Sequence, residues 1–381
     1  MAETVYIERC GSYNYKEVEK AVFKCLDGIE SIRQRMIGSK VLVKVNLLKK
    51  NKPEDAVTTH PFVAEAIVRY LQGMKCKVII GDSPGGPYNI KMLSSIYKAS
   101  GMEEVAQRTG CELNFNTSVI EVVNKKAEKL RKMQIIKVAN DVDFVVSAAK
   151  LKTHSMMTYT GAVKNLFGVI PGLTKTEYHF KMNNTENFAH HLIDICQYIR
   201  PVFSIIDAIE GMEGDGPTAG DKRSVGLIMA STSPYALDTA AVHLIGIDPL
   251  SVPTIKIAKE RRLFNGSVKD IIVKGIGLED IDMPPFKLPQ SISVNFFSDK
   301  APKFIKNFLV DKFRAKPVFD YKRCTSCGSC MRGCPAGIID MSMGKPVLDA
   351  SKCICCFCCH ELCPEKAVKI KKSLLHKILI G

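Results

Sequence analysis

Ten of the chain's fifteen cysteines fall between Cys324 and Cys363, and their spacing restricts the chemistry open to them. One run reads Cys324-x-x-Cys327-x-x-Cys330-x-x-x-Cys334-Pro335, and it recurs as Cys353-x-x-Cys356-x-x-Cys359-x-x-x-Cys363-Pro364. Three thiolates at i, i+3 and i+6 in a tight loop reach three corners of one iron–sulfur cube, while a fourth cysteine before proline points away toward another. Zinc suits this pattern poorly, because zinc ribbons use two cysteine pairs separated by a longer spacer. Each copy runs on into an apolar, strand-like stretch, Ile338-Ile339 and Val368–Ile370, so the segment is an internal duplication.

This segment resembles the bacterial two-cluster ferredoxins. The resemblance implies two [4Fe–4S] clusters with crossed ligation, one held by Cys324, Cys327, Cys330 and Cys363 and the other by Cys353, Cys356, Cys359 and Cys334. The second copy departs from the pattern by two further cysteines, Cys355 and Cys358, which read as small apolar filler near a cluster. Many free ferredoxins are acidic, yet here Lys and Arg outnumber Asp and Glu after Pro317, so an acidic redox partner protein is expected. The other five cysteines (Cys10, Cys25, Cys76, Cys111 and Cys196) are scattered, unlike a disulfide scaffold. That usage fits metal chemistry in a reducing, cytoplasmic setting.

A second set of polar residues gathers just after apolar runs, where open α/β sheets place their ligand crevices. Lys44 and Asn46 close one run and precede Thr58-Thr59-His60-Pro61; Asp82-Ser83-Pro84-Gly85-Gly86 follows another. Lys150-Leu-Lys152-Thr153-His154 follows a third and leads to Gly161-Ala-Val-Lys164-Asn165-Leu-Phe-Gly168, and Asp207 ends a fourth before Gly211-Met-Glu213-Gly214-Asp215-Gly216-Pro217-Thr218. His154 has the side chain best suited to exchange a proton near neutral pH, or it caps a loop. Lys152 and Lys164, with Asn165, suit a carboxylate or phosphate, or form a solvated surface. Glu213 and Asp215 suit a cation or acid–base work, or a simple turn. Asp82 and Asp207, at the ends of their runs, belong to the same crevice or cap helices. His190, His191 and Asp194 read as an exposed helix face without a metal role.

Across roughly residues 40–240 these stretches resemble the family known as domain of unknown function 362, whose members often carry a ferredoxin module. A more distant likeness runs to the nickel-cofactor lactate racemase superfamily. Neither resemblance supplies a reaction.

The elements that must position these groups are legible as a pattern. Apolar runs at Val41–Val45, Cys76–Ile80, Phe144–Ser147, Val202–Ile206 and Val225–Met229 are continuous, as strands covered on both faces are. Pro61–Gln72 and Pro234–Leu244 read as helices with proline in the first turn. The fold class expected is α/β, a mostly parallel sheet with helices on both faces, plus a small α+β ferredoxin-like iron–sulfur domain. The expected division is an α/β domain over 1–285, a proline-broken linker over 286–316, the cluster domain over 317–371 and a basic tail over 372–381. Within the linker, the basic stretch 303–316 reads as a short amphipathic helix docking one domain on the other.

The formal charge of +15 falls to about +11 once eight thiolates hold two clusters. The basic residues are spread along the chain without a nucleic-acid motif, which argues against nucleic acid as the partner. No phosphate-binding G-x-x-x-x-G-K-[ST] or dinucleotide-binding G-x-G-x-x-G opens a strand–helix unit. No leader-like or membrane-spanning apolar run is read. The function expected is ferredoxin-type electron transfer, an oxidoreductase role in which electrons reach a small anionic substrate in the crevice or a docked partner. A non-catalytic relay subunit is the second reading, and a nucleic-acid binder with a structural cluster the third.

Overall fold

In the computed structural model, residues 2–182, 184–291 and 315–371 are described. A nine-stranded sheet is built from β1 (Glu3–Arg9), β2 (Lys40–Lys44), β3 (Lys77–Gly81), β4 (Glu112–Leu113), β7 (Phe144–His154), β8 (Thr158–Thr160), β9 (Phe203–Glu213), β10 (Asp221–Ser231) and β11 (Ile271–Gly275). Two further strands, β5 (Val119–Val123) and β6 (Lys132–Ile136), form a separate antiparallel ribbon. The main order is β11-β1-β10-β9-β7-β2-β3-β4, with β8 on β7. Pairing is parallel from β9 through β4 and again for β1 with β11, and antiparallel around β10.

Alternate residues of each central strand are buried on opposite faces, which is why these runs lack polar positions. Val41 and Val43 pack on the side of helices Tyr15–Asp27 and Pro61–Gly73, whereas Leu42 packs on the side of helix Thr185–Ile199. Ile206, Ala208, Leu227 and Met229 pack with the helix Pro234–Leu244. Both proline-led helices form, the second capped by Ser233, whose Oγ accepts from Ala236 N at 3.3 Å.

Three expectations change. β7 and β9 run on for eleven residues each, so Lys150, Lys152 and His154 lie in a strand rather than after it, as does Glu213. The distal half of β7 finds partners far along the chain: β8 pairs Lys152 with Thr160, and β9 pairs Lys152 with Met212 after an irregularity. Phe286, placed in the linker, is buried with the β9–β10 core instead. The helix Thr185–Ile199 does not present His190, His191 and Asp194 to solvent. His191 and Asp194 are fully buried. Asp194 accepts from the backbone N–H groups of Glu128, Lys129 and Leu130 at 3.0–3.2 Å and pairs with Arg261 at 2.8 Å. His191 packs against Tyr178, ring centres 4.7 Å apart. The basic stretch 303–314 and the tail 372–381 lie outside the described residues.

The cluster module repeats one unit twice, a cysteine loop, a short helix and a Cys-Pro turn. The helices are Ser329–Arg332 and Cys358–Leu362. Strands β12 (Lys316–Phe319) and β15 (Val368–Lys371) pair antiparallel, as do β13 (Ile339–Asp340) and β14 (Val347–Leu348).

Removing Asp194 strands three amides and takes from the buried Arg261 guanidinium one of its two carboxylates, the other being Glu128 at 3.1 Å, so Asp194→Ala is expected to cost about 3 kcal/mol. Urea unfolding of the full chain measures this; a loss below about 1 kcal/mol would mean that the helix face is solvated after all.

Candidate functional site

The chain turns from β2 to β3 on one side and later to β7 on the other, which makes the end of β2 a topological switch point. A cavity of about 80 Å³ lies there, lined by Lys44, Asn46, Asp82, Lys152, Lys164, Asn165, Lys175 and His179 from the sheet domain and by Cys358, Glu361 and Leu362 from the cluster module. The site is therefore built by both parts of the chain.

Each lysine has a different arrangement. Lys44 is buried and pairs with Asp82 at 3.0 Å. Its Nζ also donates to Asn165 Oδ1 at 2.7 Å, while Asn165 Nδ2 donates to Lys44 O and Ser147 Oγ at 3.1 Å. Asn165 is thus a bracket between β2 and β7 with its amide already committed. Lys152, equally buried, donates only to neutral oxygens, Asn46 Oδ1 at 2.6 Å and Val57 O at 2.7 Å. Burial pushes its amino group well down, and Lys164 and Lys150 push it further. Lys175 donates to the carbonyls of Ser83 and Ile170, and burial brings it down to about 7. Lys164 lies 6.0 Å above the Phe167 ring and has no hydrogen-bond or ion-pair partner among the described residues. Its amino group is also lowered, by burial, against the pull of Glu361.

His154 and Glu361 form the junction between the two parts. His154 Nδ1 accepts from Met156 N at 3.0 Å and Met157 N at 3.2 Å, so the single proton of the neutral ring sits on Nε2. That atom faces Glu361 Oε1 at 3.0 Å, and neither atom has another hydrogen-bond partner. Burial lowers His154 to about 4 and keeps the ring neutral. Burial works against the Glu361 carboxylate too, but the facing His154 and the nearby Lys164 outweigh it and hold it below the ordinary range. Around this junction Thr218 Oγ1 donates to Glu361 O at 3.3 Å, Lys49 Nζ donates to Cys363 O at 2.7 Å, and His360 Nε2 lies 3.0 Å from Asp215 O. Gly85 gives room for Leu362, whose Cδ2 would stand 2.9 Å from any Cβ there.

Of the residues singled out by sequence, Lys152, Lys164 and Asn165 line the cavity, and His154 stands behind Glu361. Glu213 and Asp215 do not reach it. Glu213 pairs with Arg223 at 2.7 Å and accepts from Lys287 N at 3.0 Å, and Asp215 accepts from Gln290 N at 2.8 Å. The β9 arm carries them past the crevice, where their loop supports the module. Asp82 and Asp207 are not helix caps: Asp82 holds Lys44 and accepts from Leu47 N at 2.8 Å, while Asp207 pairs with Lys150 at 3.0 Å. Glu361, Lys175 and His179 carried no motif. Glu361 in particular sits between two cysteines of a repeat whose spacing draws attention away from it.

In the module the thiols surround two further cavities. Cys324, Cys327, Cys330 and Cys363 line one; Cys334, Cys353, Cys356 and Cys359 line the other. Backbone amides point at the sulfurs, as Ala367 N does at Cys363 Sγ at 3.2 Å. Two sets of four soft sulfur donors, each ranged around a volume, fit an iron–sulfur cube. Cys358 is buried beside Cys356 and lines the crevice, so the short helix Cys358–Leu362 borders one thiol set through Cys359 and the crevice through Cys358 and Glu361. Cys355 packs near Phe357, Ala315 and Ile370.

Comparison with known proteins finds matches in two parts of the chain. The family model described as domain of unknown function (DUF362) matches residues 41–243, and that of a 4Fe-4S dicluster domain matches residues 316–364. The chain accordingly binds two [4Fe–4S] clusters. The thylakoid-associated protein sll1697 of Synechocystis sp. is 31% identical over 278 residues, 68% of this chain and 82% of that protein. The lactate racemase apoprotein of Thermoanaerobacterium thermosaccharolyticum superposes with a TM-score of 0.40 and 15% identity over 65% of this chain; the match spans 58% of the racemase chain. No helix among the described residues is long and apolar enough to cross a membrane.

The Lys44–Asp82 pair depends on Gly168, where a Cβ would lie 2.0 Å from Asp82 Oδ1 and 2.3 Å from Lys44 Nζ. Gly168→Ala is expected to cost about 1–3 kcal/mol in chemical unfolding while leaving the iron content unchanged. Unaltered stability would show that the pair has slack.

Proposed function

Because the chain belongs to the domain of unknown function (DUF362) family and carries a 4Fe-4S dicluster domain, we propose that it is a ferredoxin-type electron-transfer protein serving the reduction of a small anionic substrate held in the crevice. The observation that supports this most is that Lys152, Lys164 and Lys175 face one small cavity without a carboxylate in ion-pairing distance among the described residues. Buried ammonium groups left uncompensated are costly, and an anion between them removes that cost. With all four lysines protonated, their charge exceeds that of Asp82 and Glu361 by two, which suits a dianion.

The ligand sets assigned are Cys324, Cys327, Cys330 and Cys363 for one cluster and Cys334, Cys353, Cys356 and Cys359 for the other, supported by the grouping of thiols around the two cavities. When bound, the clusters supply single electrons. The chain's own residues do the rest. Lys152 and Lys164 bind and orient the anion, Asn165 keeps Lys44 and Asn46 in place, and Leu362 with Phe167 excludes water. Lys175, with its lowered affinity for protons, is suited to give one to a reduced substrate. His154, with its proton on Nε2, positions Glu361 at the crevice wall. The five scattered cysteines, all free and buried, support a reducing, cytoplasmic compartment.

Anion binding needs protonated amines, so affinity is expected to weaken as pH rises through about 7, where Lys175 loses its proton. Calorimetry of the cluster-loaded chain with malonate, a dianion throughout this range, measures the slope; affinity that rises with pH contradicts the reading. Lys164→Met is expected to weaken malonate binding at least about tenfold with iron retained. Replacing Cys353 and Cys356 together by Ala is expected to lower iron from about eight to about four atoms per chain. Loss of all iron, or of none, would overturn the assigned grouping.

A further inference from the structure

A second surface lies on the module, at the outer thiol set. Cys327 is exposed there, whereas the other set has no exposed thiol (Cys334 and Cys353 are half-buried, Cys356 and Cys359 buried), so the outer set is the more approachable of the two. Its loop is stitched to a neighbouring turn: Ser326 Oγ donates to Gly344 O at 2.6 Å, and Lys345 Nζ donates to Cys324 O at 2.8 Å. Tyr321 OH donates to Pro346 O at 3.1 Å, and an Arg332 nitrogen donates to Cys327 O at 2.8 Å. These bonds make one continuous rim around Cys327.

The rim is apolar at its centre and basic at its margin. Met343 is 85% exposed, Tyr321 52% and Met331 40%. Lys322, Arg323, Arg332 and Lys345, next to them along the chain or two residues away, are exposed as well. The nearby carboxylates are largely committed, Asp320 to Lys369 at 3.1 Å and Asp340 to Ser342; Glu365 remains on the edge of the thiol cavity. Exposed methionines adapt to differently shaped partners, and a basic margin selects and steers an acidic one.

We propose that this rim is the docking site of an acidic one-electron carrier protein, which delivers electrons at Cys327. Each transfer oxidises the carrier by one electron and reduces the chain by one. The proposal rests on the electron-transfer reading but not on the crevice, whose lining includes none of the rim residues.

The test uses the full cluster-loaded chain with an acidic bacterial ferredoxin and, separately, a flavodoxin. Calorimetry with the oxidised carrier reports binding, and stopped-flow absorbance with the reduced carrier reports electron delivery. Both are expected to weaken steeply with added salt, and Lys322→Glu/Arg323→Glu is expected to lower them at low salt by about tenfold or more. Among the described residues those two side chains make no hydrogen bond or ion pair with the thiol loop, so the variant is expected to keep its iron, which an iron assay checks. Met343→Ser is expected to weaken binding with its salt dependence unchanged. Reduced methyl viologen, a small cation, should reduce the double variant at least as fast as the parent. Equal binding and equal rates for parent and double variant with both carriers overturn the docking site. Failure of methyl viologen to reduce either protein would instead overturn the electron-transfer reading itself.

Discussion

Amino groups crowded into one small cavity without matching carboxylates govern the layout of this molecule. Lys44, Lys152, Lys164 and Lys175 all lie at the end of the parallel strands, and Asp82 balances only the first. Charges so placed repel one another and lose their hydration. The fold meets that cost partly by turning the lysines onto carbonyl and amide oxygens and partly by bringing in a carboxylate from elsewhere. Glu361 is that carboxylate, and it belongs to the cluster module. Electrostatics thus ties the two parts of the chain together at the place where an anion would bind.

The same constraint explains why the interface is polar at its centre. Burying Glu361 is tolerable because His154 faces it and Lys164 stands nearby. His154 can do this because two backbone amides fix its tautomer. The loop of Glu213 and Asp215 supports the arrangement from behind, with a carbonyl near His360 and a threonine on Glu361. A relay subunit that only binds a partner has no need of lysines gathered at a switch point. The crevice therefore favours the substrate-binding reading over the relay.

How much of this could be read from the chain depends on the range of the interaction. The cluster module was legible because its spacing is local and repeated. The strand and helix positions were legible because continuous apolar runs and first-turn prolines are local signals. The lengths of β7 and β9 were not, since the distal half of β7 has partners only in β8 and the far end of β9. Lys150, Lys152 and His154 consequently read as loop residues, although the apolar alternation of Ala149, Leu151 and the core beneath them puts them in a strand. Asp194 looked solvated because a helix face cannot reveal that a distant loop, 128–130, lays three amides over it. Glu361 and Lys175 were hidden for the same reason: Glu361 acquires its meaning from His154, and Lys175 in part from Ser83, 92 positions away.

The claim that crevice and clusters form one redox unit can be tested without knowing the natural substrate. The midpoint potentials of the two clusters would be followed by electron paramagnetic resonance during a redox titration, with and without saturating malonate. Placing an anion beside Cys358 should make the cluster next to it harder to reduce, lowering the potential of one cluster and leaving the other unmoved, and Lys164→Met should remove the effect. Identical titrations with and without the anion, in a chain shown by calorimetry to bind it, would contradict the claim.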